Sequence, residues 1–211
     1  MITVIDYGSG NLRSVAKALE TAGAEVLVSG RPEDALRADH LVLPGVGAFA
    51  DCRHNLEAAG LIPPILEHLQ AGKPFLGICV GMQLLFGEGH EFGIHPGLDL
   101  VPGQVVRFAN DMPDPHAPGQ RLKVPHMGWN RVRFTAPHPL WHGIPDQTHF
   151  YFVHSYHGQA EDPAMVAAWC DHGIAFPAAV ARDNLFGTQF HPEKSQTAGL
   201  KLLENFVAWR P

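Results

Sequence analysis

Hydrophobic positions fall into two regimes along the chain. From residue 2 to residue 86, short apolar runs alternate with stretches of helical spacing. Residues 2–6 predict a first strand. Residues 11–22 predict a helix with Leu12, Val15, Ala16 and Leu19 on one face, ending at Gly23. A second strand over 25–28, a short helix over 32–36, a third strand over 40–43 and helices over 50–59 and 61–71 follow. The apolar run Phe75, Leu76, Ile78 then reads as a buried strand, and Met82 to Phe86 as the start of another helix. Such alternation predicts a parallel sheet with helices on both faces. Beyond Pro102 the pattern shortens. Strands over 105–108, 131–134, 149–154, 166–169, 178–181 and 187–190 read as antiparallel, and residues 198–209 as a closing helix carrying Leu202, Leu203, Phe206 and Val207. Neither an internal repeat nor a linker interrupts the 211 residues, so one domain spanning 1–211 is expected.

Glycines mark where chemistry interrupts this pattern. Cys79 follows the fourth strand as Gly77-Ile78-Cys79-Val80-Gly81. A sharp strand-to-helix turn crowds the backbone around a nucleophile, so glycine is required beside it. Such an elbow sets the thiol at a helix N-terminus, where the dipole favours thiolate. The plainer alternative is a small buried cysteine closing a core strand. Far downstream, Gln189-Phe190-His191-Pro192-Glu193-Lys194-Ser195 ends a strand, and His191 and Glu193, two apart in extended chain, can converge on one site. A thiol nucleophile needs a base that takes its proton and returns it to a leaving amine, and an acid that holds the imidazole in one tautomer. Cys79, His191 and Glu193 supply those roles. By itself His-Pro-Glu is weak in a chain with 14 histidines.

Acyl transfer also needs N–H donors aimed at a developing oxyanion. Pro44-Gly45-Val46-Gly47 follows the third strand, and the N–H groups of Val46 and of Val80 form the natural pair. The Gly45-Val46-Gly47 segment is able to flip; the alternative is an ordinary strand-to-helix turn. Gly8-Ser9-Gly10 lacks the further residues of a phosphate loop. Gln83, at i+4 from Cys79, shares its helix face.

Composition narrows the class. A net charge of −6 without a basic run argues against nucleic-acid and anionic-membrane partners. A chain of this length can bury roughly 70% of its unfolded surface and needs no staples. Three scattered cysteines make no disulfide or zinc framework, and no metal or cofactor is expected. A free thiol suits a reducing cytoplasm. The opening strand predicts no signal or transit peptide, and no apolar run reaches membrane-spanning length.

Together the elbow and the Gln189-to-Ser195 segment resemble the class I (triad) glutamine amidotransferases. Asp6-Tyr7-Gly8-Ser9-Gly10-Asn11-Leu12, Pro44-Gly45-Val46-Gly47-Ala48-Phe49, Pro125-His126-Met127-Gly128-Trp129-Asn130 and Tyr151-Phe152-Val153-His154-Ser155-Tyr156 narrow the resemblance to the glutaminase subunits of imidazole glycerol phosphate synthases. Val80 stands where this family more often has leucine, and residues 110–119 form a longer loop than the family needs. The fold implied is α/β, flavodoxin-like, with a mostly parallel central sheet and an antiparallel extension. The resemblance implies glutamine hydrolysis, with Gln83 and the His154-Ser155-Tyr156 strip receiving the substrate's amino-acid end and Val46, Gly47 and Val80 serving the oxyanion. It implies a (β/α)8-barrel cyclase partner, docked near Asn11, Trp129 and Lys194, to which ammonia passes. Cys52 and Cys170 read as structural thiols. Another thiol hydrolase on this fold and a non-catalytic relative stay open as alternatives.

Overall fold

The computed structural model describes residues 1–115 and 117–211. Strands β1 (Ile2–Ile5), β2 (Val26–Ser29), β3 (His40–Leu43) and β4 (Phe75–Ile78) alternate with helices α1 (Leu12–Thr21), α2 (Pro32–Arg37), α3 (Phe49–Ala58) and α4 (Ile62–Gln70). Every residue of β1, β3 and β4 is buried. Their near-continuous apolar runs follow from that, because helices cover both faces of the sheet. α1 turns Val15 and Leu19 to the core and its polar face outward.

After α5 (Val80–Gln83) come β5 (Phe86–Gly89), β6 (His95–Pro96), β7 (Val101–Arg107), β8 (His126–Phe134), β9 (Thr148–His154), β10 (Tyr156–Ala160), β11 (Val166–Asp171), β12 (Ala175–Arg182), β13 (Leu185–Thr188) and the closing helix α6 (Gln196–Ala208). Nine strands form one sheet in the order β2-β1-β3-β4-β13-β12-β11-β8-β9. The first five run parallel, and the rest extend the sheet antiparallel. This is the expected mixed architecture, with three differences. β13, grouped by its pattern with the antiparallel strands, is parallel to β4 and antiparallel to β12, and joins the two halves. α5 is a single turn, and Phe86, expected in that helix, opens β5. A short apolar run fits a buried helix or strand equally well; here pairing of Phe86 with Val101 decides. A second sheet, β10-β7-β5-β6, lies beside the first. The long loop after β7 folds back on itself: Pro113 bridges Arg121, Leu122 N–H donates to the Met112 carbonyl (2.9 Å), and Met112 enters the core. His116, within the 110–119 stretch, lies outside the described residues.

Topology gathers three segments at one edge. In β4 and β13, Ile78 is level with Thr188. The carboxyl ends of β3, β4 and β13 therefore deliver Pro44–Gly47, Cys79 and Gln189–His191 to the same side, where open α/β sheets carry their sites. Among the described residues, no helix is long and apolar enough to cross a membrane.

Burial holds several imidazoles neutral. It lowers His126 to about 3 and His138 to about 4, and depresses His40, His68, His154 and His157 below the ordinary 6.5. In the unfolded chain the same groups take up protons near pH 6.5. Below that pH the unfolded state binds more protons than the folded one, so stability is lost as pH falls from 6.5 towards 3–4. Calorimetry should show Tm dropping steadily between pH 7 and pH 5; a Tm unchanged over that interval would contradict this.

Candidate active site

Cys79 occupies the junction of β4 and α5 with φ 55° and ψ −110°, a strained backbone for a residue with a side chain. Its N–H donates to the Thr188 carbonyl (2.7 Å), and its carbonyl accepts from Met82 N–H and Gln83 N–H (3.0 Å each). The flanking glycines are sterically required. A Cβ on Gly81 would run into the Leu43 carbonyl oxygen, and one on Gly77 would stand 2.8 Å from the Gly81 carbonyl oxygen. The elbow is thus as its sequence suggests. Its helix is not: one turn builds little macrodipole, and the positive charge that faces Cys79 comes from His191.

His191 and Glu193 sit at the short 3-10 turn Pro192–Lys194 after β13. His191 Nδ1 lies 2.8 Å from Glu193 Oε1, and the two side chains are 2% and 1% exposed. A buried carboxylate on Nδ1 leaves Nε2 as the working nitrogen. That Nε2 is buried in a cavity that Cys79 also lines, facing the Cys79 sulfur, with no other hydrogen-bond partner among the described residues. Burial works against an imidazolium here, but the facing Cys79 sulfur and the Glu193 carboxylate outweigh it and push His191 up to about 10. The turn is braced by Ser195, whose hydroxyl donates to the His191 carbonyl (2.7 Å) and accepts from Tyr151 N–H (3.0 Å).

The cavity, about 350 Å³, brings together Cys79, His191, Val46, Gly47, Val80, Gln83, His154, Ser155, Tyr156 and Lys194. Of the other residues singled out from sequence, Glu193 stands behind His191. Asn11 starts α1, its carbonyl accepting from Val15 N–H (3.1 Å). Trp129 is 45% exposed and packs on Tyr151 (ring centroids 6.1 Å apart), over which Lys194 Nζ also sits at 5.9 Å. A larger cleft of about 790 Å³ beside β5, β7 and β10 contains none of these groups.

The Val46 N–H points to Ser9 Oγ (3.3 Å), whose hydroxyl donates to the Val46 carbonyl (2.5 Å). Cys52 Sγ lies 3.4 Å from the same carbonyl, so this thiol, read from sequence as merely structural, touches the loop. Tyr7 O–H holds the preceding Pro44 carbonyl (2.7 Å). Val46 N–H is therefore engaged elsewhere in this state. Both protons of Gln83 Nε2 are also engaged, by the Tyr156 carbonyl and Gln189 Oε1 at 3.0 Å each.

Two residues had no role from sequence. Gln189 is buried with its Nε2 3.8 Å from Cys79 Sγ; it lay inside a recognised motif with no partner in view. Glu91 places a carboxylate on the cavity wall, one oxygen accepting from Phe49 N–H (2.7 Å) at the start of α3. Nothing in the local Gly-Glu-Gly-His-Glu-Phe-Gly sequence marks it.

The family model for class I glutamine amidotransferase matches residues 3–209. The HisH subunit of imidazole glycerol phosphate synthase from Syntrophotalea carbinolica is 54% identical over 206 residues, covering 98% of each chain. The HisH subunit from Aromatoleum aromaticum is 53% identical over 212 residues, covering 100% of this chain and 99% of its own. This chain belongs to the class I glutamine amidotransferases, among the HisH subunits. The Geobacter sulfurreducens HisH subunit is 50% identical over 205 residues, covering 97% of each. Solved structures extend the fold of this amidotransferase to distant sequences. PurLQS from Thermotoga maritima aligns with a TM-score of 0.73 at 17% identity, over 98% of this chain and 97% of that one. A glutamine amidotransferase aligns at 0.72 and 19%, over 98% and 97%.

Proposed function

We propose that this chain is the glutaminase subunit of an imidazole glycerol phosphate synthase, a single amidotransferase domain over residues 1–211, and that Cys79, His191 and Glu193 hydrolyse glutamine. The observation that carries the assignment is the buried His191–Glu193 pair, with a free Nε2 facing the cavity that holds Cys79.

With a proton on His191 Nε2, the Cys79 sulfur attacks the side-chain amide carbon of glutamine. The C=O bond opens to an oxyanion, which N–H donors of Val80 and of the Val46–Gly47 segment receive. His191 gives its proton to the departing nitrogen, the C–N bond breaks, and ammonia and a γ-glutamyl thioester result. His191 Nε2 then takes a proton from water, the hydroxide attacks the thioester, and the C–S bond breaks to give glutamate. Glu193 keeps the imidazole in one orientation and supports its charge throughout. Glu91 offers a carboxylate to the α-ammonium group of the substrate, beside Gln83 and the His154-Ser155-Tyr156 strip.

Ammonia released into solvent is protonated and lost, so the reading includes a separate (β/α)8-barrel cyclase chain that accepts it, forming a heterodimer. The docking face is that of Asn11, Trp129 and Lys194. Three free thiols fit a cytoplasmic enzyme. Because Val46 N–H is held by Ser9, the resting chain lacks one oxyanion donor, and docking of a ribotide-loaded partner completes the site.

Two expectations follow. Cys79→Ala should leave under roughly a thousandth of wild-type glutamine hydrolysis with the fold intact, His191→Ala should be nearly as damaging, and Glu193→Gln milder. Residual activity above that level in Cys79→Ala, or a Glu193→Gln defect equal to that of His191→Ala, would remove those roles. For the switch, a missing oxyanion donor is worth ~10²–10³ in rate. Steady-state hydrolysis by the chain alone should therefore rise by about that factor with cyclase and ribotide; full activity in the chain alone would refute it.

A further inference from the structure

One wall of the cavity is held by a line of side chains that starts at Asn130 and His126, which the reaction above leaves unused, and runs to His154 and Gln83. Asn130 Oδ1 accepts from Arg131 N–H (2.8 Å), which fixes the orientation of its amide. Its Nδ2 is then the donor, to the Asp171 carbonyl (2.9 Å) and to His126 Nε2 (3.0 Å). Since His126 accepts at Nε2, its own proton sits on Nδ1 and is donated to His154 Nε2 (3.0 Å). His154 in turn carries its proton on Nδ1 and donates it to the Tyr156 carbonyl (2.8 Å). That carbonyl also accepts from Gln83 Nε2, whose second proton goes to Gln189 Oε1, and Gln189 Nε2 ends the line 3.8 Å from Cys79 Sγ. From Asn130 to Tyr156 every link has one possible direction.

We propose that Asn130, His126 and His154 are positioning residues for glutamine, because their one-way chain of hydrogen bonds holds the Tyr156 carbonyl, and with it Ser155, Tyr156 and Gln83, where the substrate's amino-acid end is received. The proposal rests on the reading of this cavity as the glutamine site.

The chain works only with both imidazoles neutral. A second proton on His154 would set Nδ1–H of His126 against Nε2–H of His154 across 3.0 Å. The surroundings keep that proton away: the rings are 5% and 6% exposed, and Phe108, Phe152 and Phe176 pack against them. The titratable groups that face the pair are His172, stacked on His126 at 4.3 Å, and His157, across Phe108. The charged side chains nearby are Asp171 and Arg133, 3.8 Å apart and paired with each other. At the Tyr156 end the charges are those of Glu91 and Arg107. Burial first, and the neighbouring histidines second, depress both members of the pair.

Asn130→Asp tests direction without changing shape. The new carboxylate must receive a hydrogen from His126 Nε2. That reverses both tautomers and turns the bare His154 Nδ1 against the Tyr156 carbonyl. One proton added to His126 restores the line from His126 onward, giving Nε2–H to the carboxylate and Nδ1–H to His154; the bond to the Asp171 carbonyl stays lost at both pH values. In the complex with cyclase and ribotide, KM for glutamine in Asn130→Asp should rise at least ~10-fold at pH 8, about the worth of one buried hydrogen bond, and return towards wild type at pH 6. Wild-type KM should change little between the two.

A second pair tests geometry. His154→Asn keeps a donor where Nδ1 stood, whereas His154→Gln places its amide where Nε2 stood, so KM for glutamine should rise at least ~3-fold further in His154→Gln than in His154→Asn. A KM defect in Asn130→Asp that is the same at both pH values, no defect at all, or equal KM values for the two His154 variants would reduce the chain to a structural role and overturn the proposal. Thermal unfolding of each variant identifies any that fails to fold, and the other pair then decides. Should the wild-type complex itself leave glutamine unhydrolysed, the functional reading fails rather than the chain of hydrogen bonds.

Discussion

The hydrogen bond from Cys79 N–H to the Thr188 carbonyl fastens the site together. It continues the parallel pairing of β4 with β13 one residue past the strand end, and so fixes how far apart the two motif-bearing segments emerge. Two other close approaches complete the clamp. The elbow presses Gly81 onto the Leu43 carbonyl, and Gly45 packs against Gly81 N–H and the Tyr7 hydroxyl oxygen, so β3, β4 and the β1 loop meet with no room for side chains. The strained backbone of Cys79 persists because these contacts over-determine it. Cys79, the Val46–Gly47 segment and His191, the proposed nucleophile, oxyanion segment and base, are thus set by three parallel strand ends rather than by flexible loops.

Charge within the site follows from what faces each imidazole. His191, His126 and His154 are all buried, and burial alone would keep each neutral. His191 departs from the others because a carboxylate touches its Nδ1 and a sulfur faces its Nε2. His126 and His154 face each other and other histidines, so no opposite charge offsets their desolvation, and the Tyr156 carbonyl on His154 does so only in part. One side-chain type is thereby suited to carry a proton at His191 and to stay a neutral, one-way hydrogen-bond relay at His126 and His154. The Ser9 hydroxyl adds a third element by occupying the Val46 N–H, the proposed oxyanion donor.

Local signals made the first half of the fold readable. The strands β1, β3 and β4 are short apolar runs because they are covered on both faces, and α1 shows its buried stripe. The elbow was equally legible, since glycine on both sides of Cys79 has a steric cause. The triad residues were legible as candidates because their roles require those residue types. Non-local choices were not. Whether Phe86 continues a helix or opens β5 depends on Val101, and the orientation of β13 depends on β4. Glu91 reaches the cavity only because of how the turn between β5 and β6 folds. His126 and His154 sit in recognised motifs together with their partners Asn130 and Tyr156, yet their tautomers depend on the pairing of β8 with β9 that sets the two imidazoles face to face and on the Asp171 carbonyl from β11.

The central claim is that Cys79 forms a covalent acyl intermediate, with His191 as the proton carrier beside it. Acid-quenched mass spectrometry of the chain, mixed with its cyclase and ribotide and then with glutamine, tests this directly. A γ-glutamyl group should appear on the peptide that contains Cys79 and be absent from those containing Cys52 and Cys170. It should fail to form in Cys79→Ala. Steady glutamine hydrolysis with no acylated peptide in the pre-steady state, or with the glutamyl group on another residue, would contradict the account.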